Sequence, residues 1–145
     1  MKELVTELII PAKPDDVWDV LTNIATFPDW NPQIFKIKGK FELGKSITAH
    51  VYAPDGSGKR YAFKGKVTDF EKGKKLAWKG GVPGILSGYH YWELVDLGTE
   101  TKVIQGEKFY GIFTIFLSQA RVDSMKTSYE EANVGLKEYV LKNKL

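Results

Sequence analysis

Apolar and polar residues alternate over 3–12, with Leu4, Thr6, Leu8 and Ile10 on one side. That period of two predicts a β-strand with one buried face. The period then changes. Val17, Trp18 and Leu21 make a helical stripe behind Pro14, which suits a first turn, and Asp15 and Asp16, which suit a helix N-terminus. Pro28 and Pro32 limit the next stretch to a short helical turn followed by extended chain. Turn-punctuated strands follow at approximately 34–39, 46–53, 60–70, 74–80, 88–96 and 101–109. The turns are ELGK, PDGSGK, EKGK, GVPGILS and DLGTE. From Thr114 onward, Val122, Met125, Tyr129, Ala132, Leu136 and Val140 fall at spacings of three and four. They predict one face of a long amphipathic helix of about 28 residues, roughly 40 Å at the usual rise.

Short turns between consecutive strands imply one antiparallel sheet, which twists and coils. A long helix laid across its concave side need not meet it everywhere. If Leu94 points inward, strand parity turns Trp92 and His90 inward too. Leu76, Trp78 and Gly80 share a face on the preceding strand, and Thr101, Val103, Gln105, Glu107 and Phe109 on the following one. Large aromatics, glycines and a few polar groups are a poor recipe for a dry core and the usual makeup of a small-molecule site. A buried carboxylate such as Glu107 also costs several kcal/mol unless it is paired, by general solvation arguments. The bland alternative is that His90 and Glu107 bond to each other or to the helix and merely tie the layers together. Tyr89 and Tyr91 fall on the outer face. A bulge at Gly106 would reverse the parity of Glu107.

Composition narrows the function classes. The 145 residues are 43% hydrophobic and 27% charged, an ordinary globular balance for a single domain over 1–145. No apolar run is long enough to span a bilayer, and charges interrupt the N-terminal apolar stretch, so a cytoplasmic protein without integral membrane association is expected. The net charge of +3 rests almost wholly on lysine, with Arg60 and Arg121 the only arginines. The densest basic cluster, EKGKKLAWKG, reads as a solvated hairpin, and no nucleic-acid partner is expected. Without cysteine there is no disulfide, thiolate metal site or cysteine nucleophile. Of two histidines, His50 points outward by parity, so no metal site and no cofactor is expected. Ser87 lies in a turn and not in a Gly-x-Ser-x-Gly elbow. Gly80, Gly81, Gly84 and Gly88 read either as a flexible loop at the rim of a cavity or as a plain hairpin loop.

Four segments resemble one superfamily. PDDVWDVLTNIATFPDWNPQI, LAWKGGVPGILSGYHYWEL, GTETKVIQGEKFYG and YEEANVGLKEYV occur in the order found in the START-like (SRPBCC) helix-grip superfamily. They are closest to its polyketide cyclase/dehydrase and lipid-transport branch. The resemblance covers essentially the whole chain. It implies an α+β helix-grip fold: a seven-stranded antiparallel sheet curved around the C-terminal helix, with two short helices after the first strand. It implies an elongated apolar cavity between sheet and helix. Carried over residue by residue, it makes Trp30, Trp78, His90, Trp92, Glu107 and Phe109 cavity-facing. Phe63, Gln105, Phe113, Phe116 and Met125 are expected as further ligand contacts. The run GIFTIFL would lie near the mouth.

Three functions remain open. The first is binding, transport or sequestration of a hydrophobic small molecule or lipid. The second is a cyclase, dehydratase or aromatase using His90 and Glu107 as acid and base. The third is a cochaperone-like interaction module, which would expose an apolar patch at 112–117.

Overall fold

The computed structural model describes residues 1–53 and 56–143. Strand β1 (Lys2–Ile10) leads into helix α1 (Pro14–Leu21), a 3-10 turn and the short helix α2 (Phe27–Trp30). Six strands follow: β2 (Ile34–Gly39), β3 (Ser46–Tyr52), β4 (Arg60–Glu71), β5 (Lys75–Val82), β6 (Leu86–Asp96) and β7 (Thr101–Tyr110). A second 3-10 turn (Ile112–Phe116) precedes helix α3 (Gln119–Asn143). The strands form one antiparallel sheet in the order β1-β7-β6-β5-β4-β3-β2, curved around α3. The first strand therefore pairs with the last.

The expected parity holds on the concave face. Leu76, Trp92, Val103 and Gln105 are fully or almost fully buried there. β6 and β7 pair without a register shift, so Gly106 makes no bulge and Glu107 faces inward opposite His90. Gly106 serves the other face. A Cβ there would sit 2.5 Å from the Tyr91 hydroxyl, so its absence lets the Tyr91 ring cross β7 and donate to Glu3 on β1 at 3.2 Å. Tyr91 is thus buried, not wetted, on the outer face.

Two boundaries differ from expectation. The long helix begins at Gln119 and not near Thr114, because Leu117 is extended and the Ser118 hydroxyl caps the Arg121 N–H at 3.2 Å. GVPGILS is not a long loop: Gly81 pairs with Ser87 and Val82 with Leu86, leaving a tight hairpin tip. The first two residues of the turn expected at 54–59 lie outside the described residues.

Two apolar clusters fill the space between sheet and helices. The larger packs α1 and α2 around Phe27, Trp92 and Leu136. The smaller holds Leu4, Phe109, Val122 and Tyr129. In each of β1, β7 and α3 a buried polar residue sits between members of the two clusters: Thr6, Gln105 and Asn133.

Candidate functional site

Those three residues form a closed hydrogen-bond chain. The Thr6 hydroxyl donates to the Gln105 carbonyl at 2.8 Å, and Asn133 Nδ2 donates to Thr6 Oγ1 at 2.7 Å. Gln105 Nε2 donates to Asn133 Oδ1 at 2.7 Å and to the Tyr129 carbonyl at 3.2 Å. A backbone carbonyl only accepts, so the amide orientation of Gln105 is determined. Its Oε1 then faces His90 Nε2 at 2.9 Å and must accept. His90 is therefore the Nε2–H tautomer, and its Nδ1 keeps a free lone pair. The ring is clamped between Trp92, stacked at 4.2 Å, and Tyr129, stacked at 4.9 Å.

That lone pair looks toward Glu107, whose Oε1 lies 3.7 Å from Nδ1, while Tyr129 donates its hydroxyl to Oε2 at 2.9 Å. The distance qualifies as an ion pair, but burial argues against the charges. Burial lowers His90 to about 4, with the Gln105 bond opposing. Burial raises Glu107 to about 7, with the Tyr129 bond opposing. Burial beside Glu107 also pushes the Tyr129 phenol well above its usual range. At neutral pH the contact is between a neutral imidazole and a carboxyl that is about half protonated.

His90 and Glu107 close the inner end of a cavity of about 270 Å³ between the concave face and α3. Ile47, Ala49 and Trp78 line one wall and Phe109, Met125 and Tyr129 the other. The floor is a row of glycines across three strands, since Gly65 pairs with Gly80 and Gly80 with Gly88. Each faces a crowded neighbour: an added Cβ would lie 2.5 Å from the Lys64 carbonyl at Gly80 and 3.3 Å from Glu107 Oε1 at Gly88. Three of the glycines expected in a loop, Gly80, Gly81 and Gly88, are thus paired strand residues, and all three line the hollow without a side chain. Phe63 is 61% exposed and stands at the opening with Leu86.

A family model described as polyketide cyclase / dehydrase and lipid transport matches residues 1–140. The chain belongs to that family. Among solved structures, TTHA0849 from Thermus thermophilus is 17% identical, with a TM-score of 0.79 over 99% of this chain and all of that one. The di-domain ARO/CYC BexL from the BE-7585A biosynthetic pathway is 14% identical, with a TM-score of 0.74 over 95% of this chain and 46% of that chain. Ara h 8.0201 is 15% identical, with a TM-score of 0.75 over 97% of this chain and 98% of that one. At these identities the likeness is one of fold. A comparison with curated protein sequences finds no match.

Within this polyketide cyclase / dehydrase and lipid transport fold, the residues expected at the site divide. Phe63, Trp78, His90, Glu107, Phe109 and Met125 line the cavity together. Trp30, Trp92, Gln105, Phe113 and Phe116 do not. Trp30 packs against Phe27 and the backbone of Gly135, in the core beneath α2. Trp92 lies behind His90, with no exposure. Gln105 is spent on the polar chain just described. Phe113 and Phe116 turn outward, 46% and 71% exposed. Tyr129, Asn133 and Thr6 were missed as parts of the site. Their signal was present: a tyrosine, an asparagine and a threonine at positions where the apolar stripe calls for aliphatic residues.

Proposed function

We propose that the protein binds a small, mostly apolar molecule of one or two rings that carries a hydroxyl. The family, and a fold shared with an aromatase/cyclase, support a hydrophobic-ligand or polyketide-related role. Cavity size narrows it. A dry cavity of about 150 Å³ accepts benzene, and small-molecule sites usually start near 300 Å³. A cavity of about 270 Å³ suits one or two rings and is small for a long acyl chain. The observation that carries the reading is the fixed His90 tautomer. Nδ1 accepts a hydrogen bond from a ligand hydroxyl, and the Glu107 carboxyl, where it carries its proton, donates one to the ligand oxygen.

The test is fluorescence titration with 2-naphthol and with naphthalene. The hydroxyl should tighten binding roughly tenfold, the usual worth of one buried hydrogen bond. Ala49→Phe, which fills the cavity from its wall, should abolish both. The reading fails if neither compound saturates, or if Ala49→Phe binds them as before.

One observation favours acid–base catalysis as a second reading. Glu107 is raised to about 7 beside a free imidazole lone pair, which is where a proton shuttle works best near neutrality. Unchanged turnover of polyketide substrates by His90→Gln would remove His90 from such a mechanism.

A further inference from the structure

Among the described residues, exposed apolar side chains such as Val5, Ile9, Leu43, Leu97 and Val134 are scattered, but two segments carry them in a group. Val82, Ile85 and Leu86 stand on the β5–β6 hairpin tip, and Ile112, Ile115 and Phe116 on the 3-10 turn after β7, all between 43% and 76% exposed. Two backbone bonds join the segments, from Ile112 N–H to the Gly84 carbonyl at 3.1 Å and from Phe113 N–H to the Ile85 carbonyl at 3.0 Å. Gly111 makes the fit possible: its φ is 109° and a Cβ there would meet the Ile85 carbonyl oxygen at 2.3 Å. Tip and turn are one ledge, and Leu86 carries it to the cavity mouth.

Cations flank the ledge. Lys79 is three residues before Val82 on β5, and Lys64 lies beside the cavity on β4. Arg121 and Lys126 stand on the first two turns of α3. All four are exposed, and among the described residues none has a carboxylate within 4.0 Å. Asp123, the one acidic residue among them on α3, is held by Gln119.

We propose that this ledge docks the protein onto an anionic lipid surface. Apolar side chains of this kind enter the boundary between headgroups and acyl chains, and flanking lysines are drawn to anionic lipid, each worth about a fivefold gain in binding. A second copy of the chain fits less well. A two-fold contact through the ledge sets each cation cluster against its own copy, and like charges then oppose association. No helix of the described residues is long and apolar enough to cross a membrane, so the contact is peripheral.

The test is co-sedimentation with vesicles of phosphatidylcholine alone and of phosphatidylcholine mixed equally with phosphatidylglycerol. The protein should pellet with the mixed vesicles and lose binding as salt is raised. Ile115→Ser with Phe116→Ser should weaken it about a hundredfold, near tenfold per apolar side chain. Both side chains are largely exposed, so the urea midpoint should not move and a folding defect is ruled out directly. Lys79→Glu, a change of two charge units, should weaken binding roughly 25-fold. Failure to pellet with either vesicle overturns the proposal, as does equal binding to both. A dimer in sedimentation velocity that the double variant dissolves also overturns it, because a second copy then covers the ledge. The readout is vesicle binding, so it stands apart from whether the cavity holds a ligand.

Discussion

Removing Glu107 or His90 should each create a dependence of stability on pH that the intact pair hides. The ordinary value of His90 is 6.5 and burial lowers it to about 4. The ordinary value of Glu107 is 4.5 and burial raises it to about 7. Between pH 4.5 and 6.5 the unfolded chain therefore holds one proton on His90 and none on Glu107. The folded protein holds one on Glu107 and none on His90. The proton counts match, so the pair adds no slope in that window.

Glu107→Gln leaves the depressed histidine alone. Its stability contribution is full above pH 6.5 and is lost as pH falls toward 4. The slope approaches about 1.4 kcal/mol per pH unit, or roughly 2 kcal/mol across the window. His90→Gln leaves the raised carboxyl alone. Its contribution is full below pH 4.5 and is lost as pH rises through 7, a slope of opposite sign. The Glu107 side chain keeps 16% of its surface exposed toward the cavity, and water there eases the charge, so about 1.4 kcal/mol per unit is a ceiling for that variant. The assay is urea unfolding of wild type and both variants at several pH values, with wild type subtracted so that all other titrating groups cancel. Slopes of the same sign in the two variants, or a flat difference for Glu107→Gln, would refute the assignment of neutral His90 and protonated Glu107.

Other expected outcomes follow from single contacts. Gln105→Leu removes the bonds to His90, Asn133 and the Tyr129 carbonyl and should cost about 2–4 kcal/mol in urea unfolding, because the orphaned partners stay buried. Gly135→Ala improves helix propensity yet should destabilise by about 1–3 kcal/mol, since its Cβ would fall 2.0 Å from the Trp30 carbonyl oxygen and push α3 off α2; a higher thermal midpoint would contradict that packing. Trp92→Ala should cost about 3–5 kcal/mol, because the indole is fully buried against Phe27, Trp78 and His90.

The order and type of elements could be read from the chain because they rest on local periodicity. Leu4 to Ile10 alternate by two, and Val122 to Val140 recur by three and four, whatever lies against them. Parity along β6 and β7 likewise turns His90, Trp92 and Glu107 inward, and the register of the two strands agrees. Boundaries were harder where local signals compete. GGVPGILSG looks like a loop by its glycines and proline, but pairing with β4 and β6 keeps Gly80 in the sheet.

Which inward residues meet a ligand and which are sealed behind others was decided only by tertiary structure. Parity gives a side chain's direction but not its depth. Trp92 and His90 point the same way, yet the stacked rings put one in the core and the other on the cavity. The tautomer of His90 depends on Thr6, Gln105, Tyr129 and Asn133, which are up to 127 residues apart in the chain. No local pattern encodes such a relay, because a hydrogen bond's direction is determined by every partner around it at once.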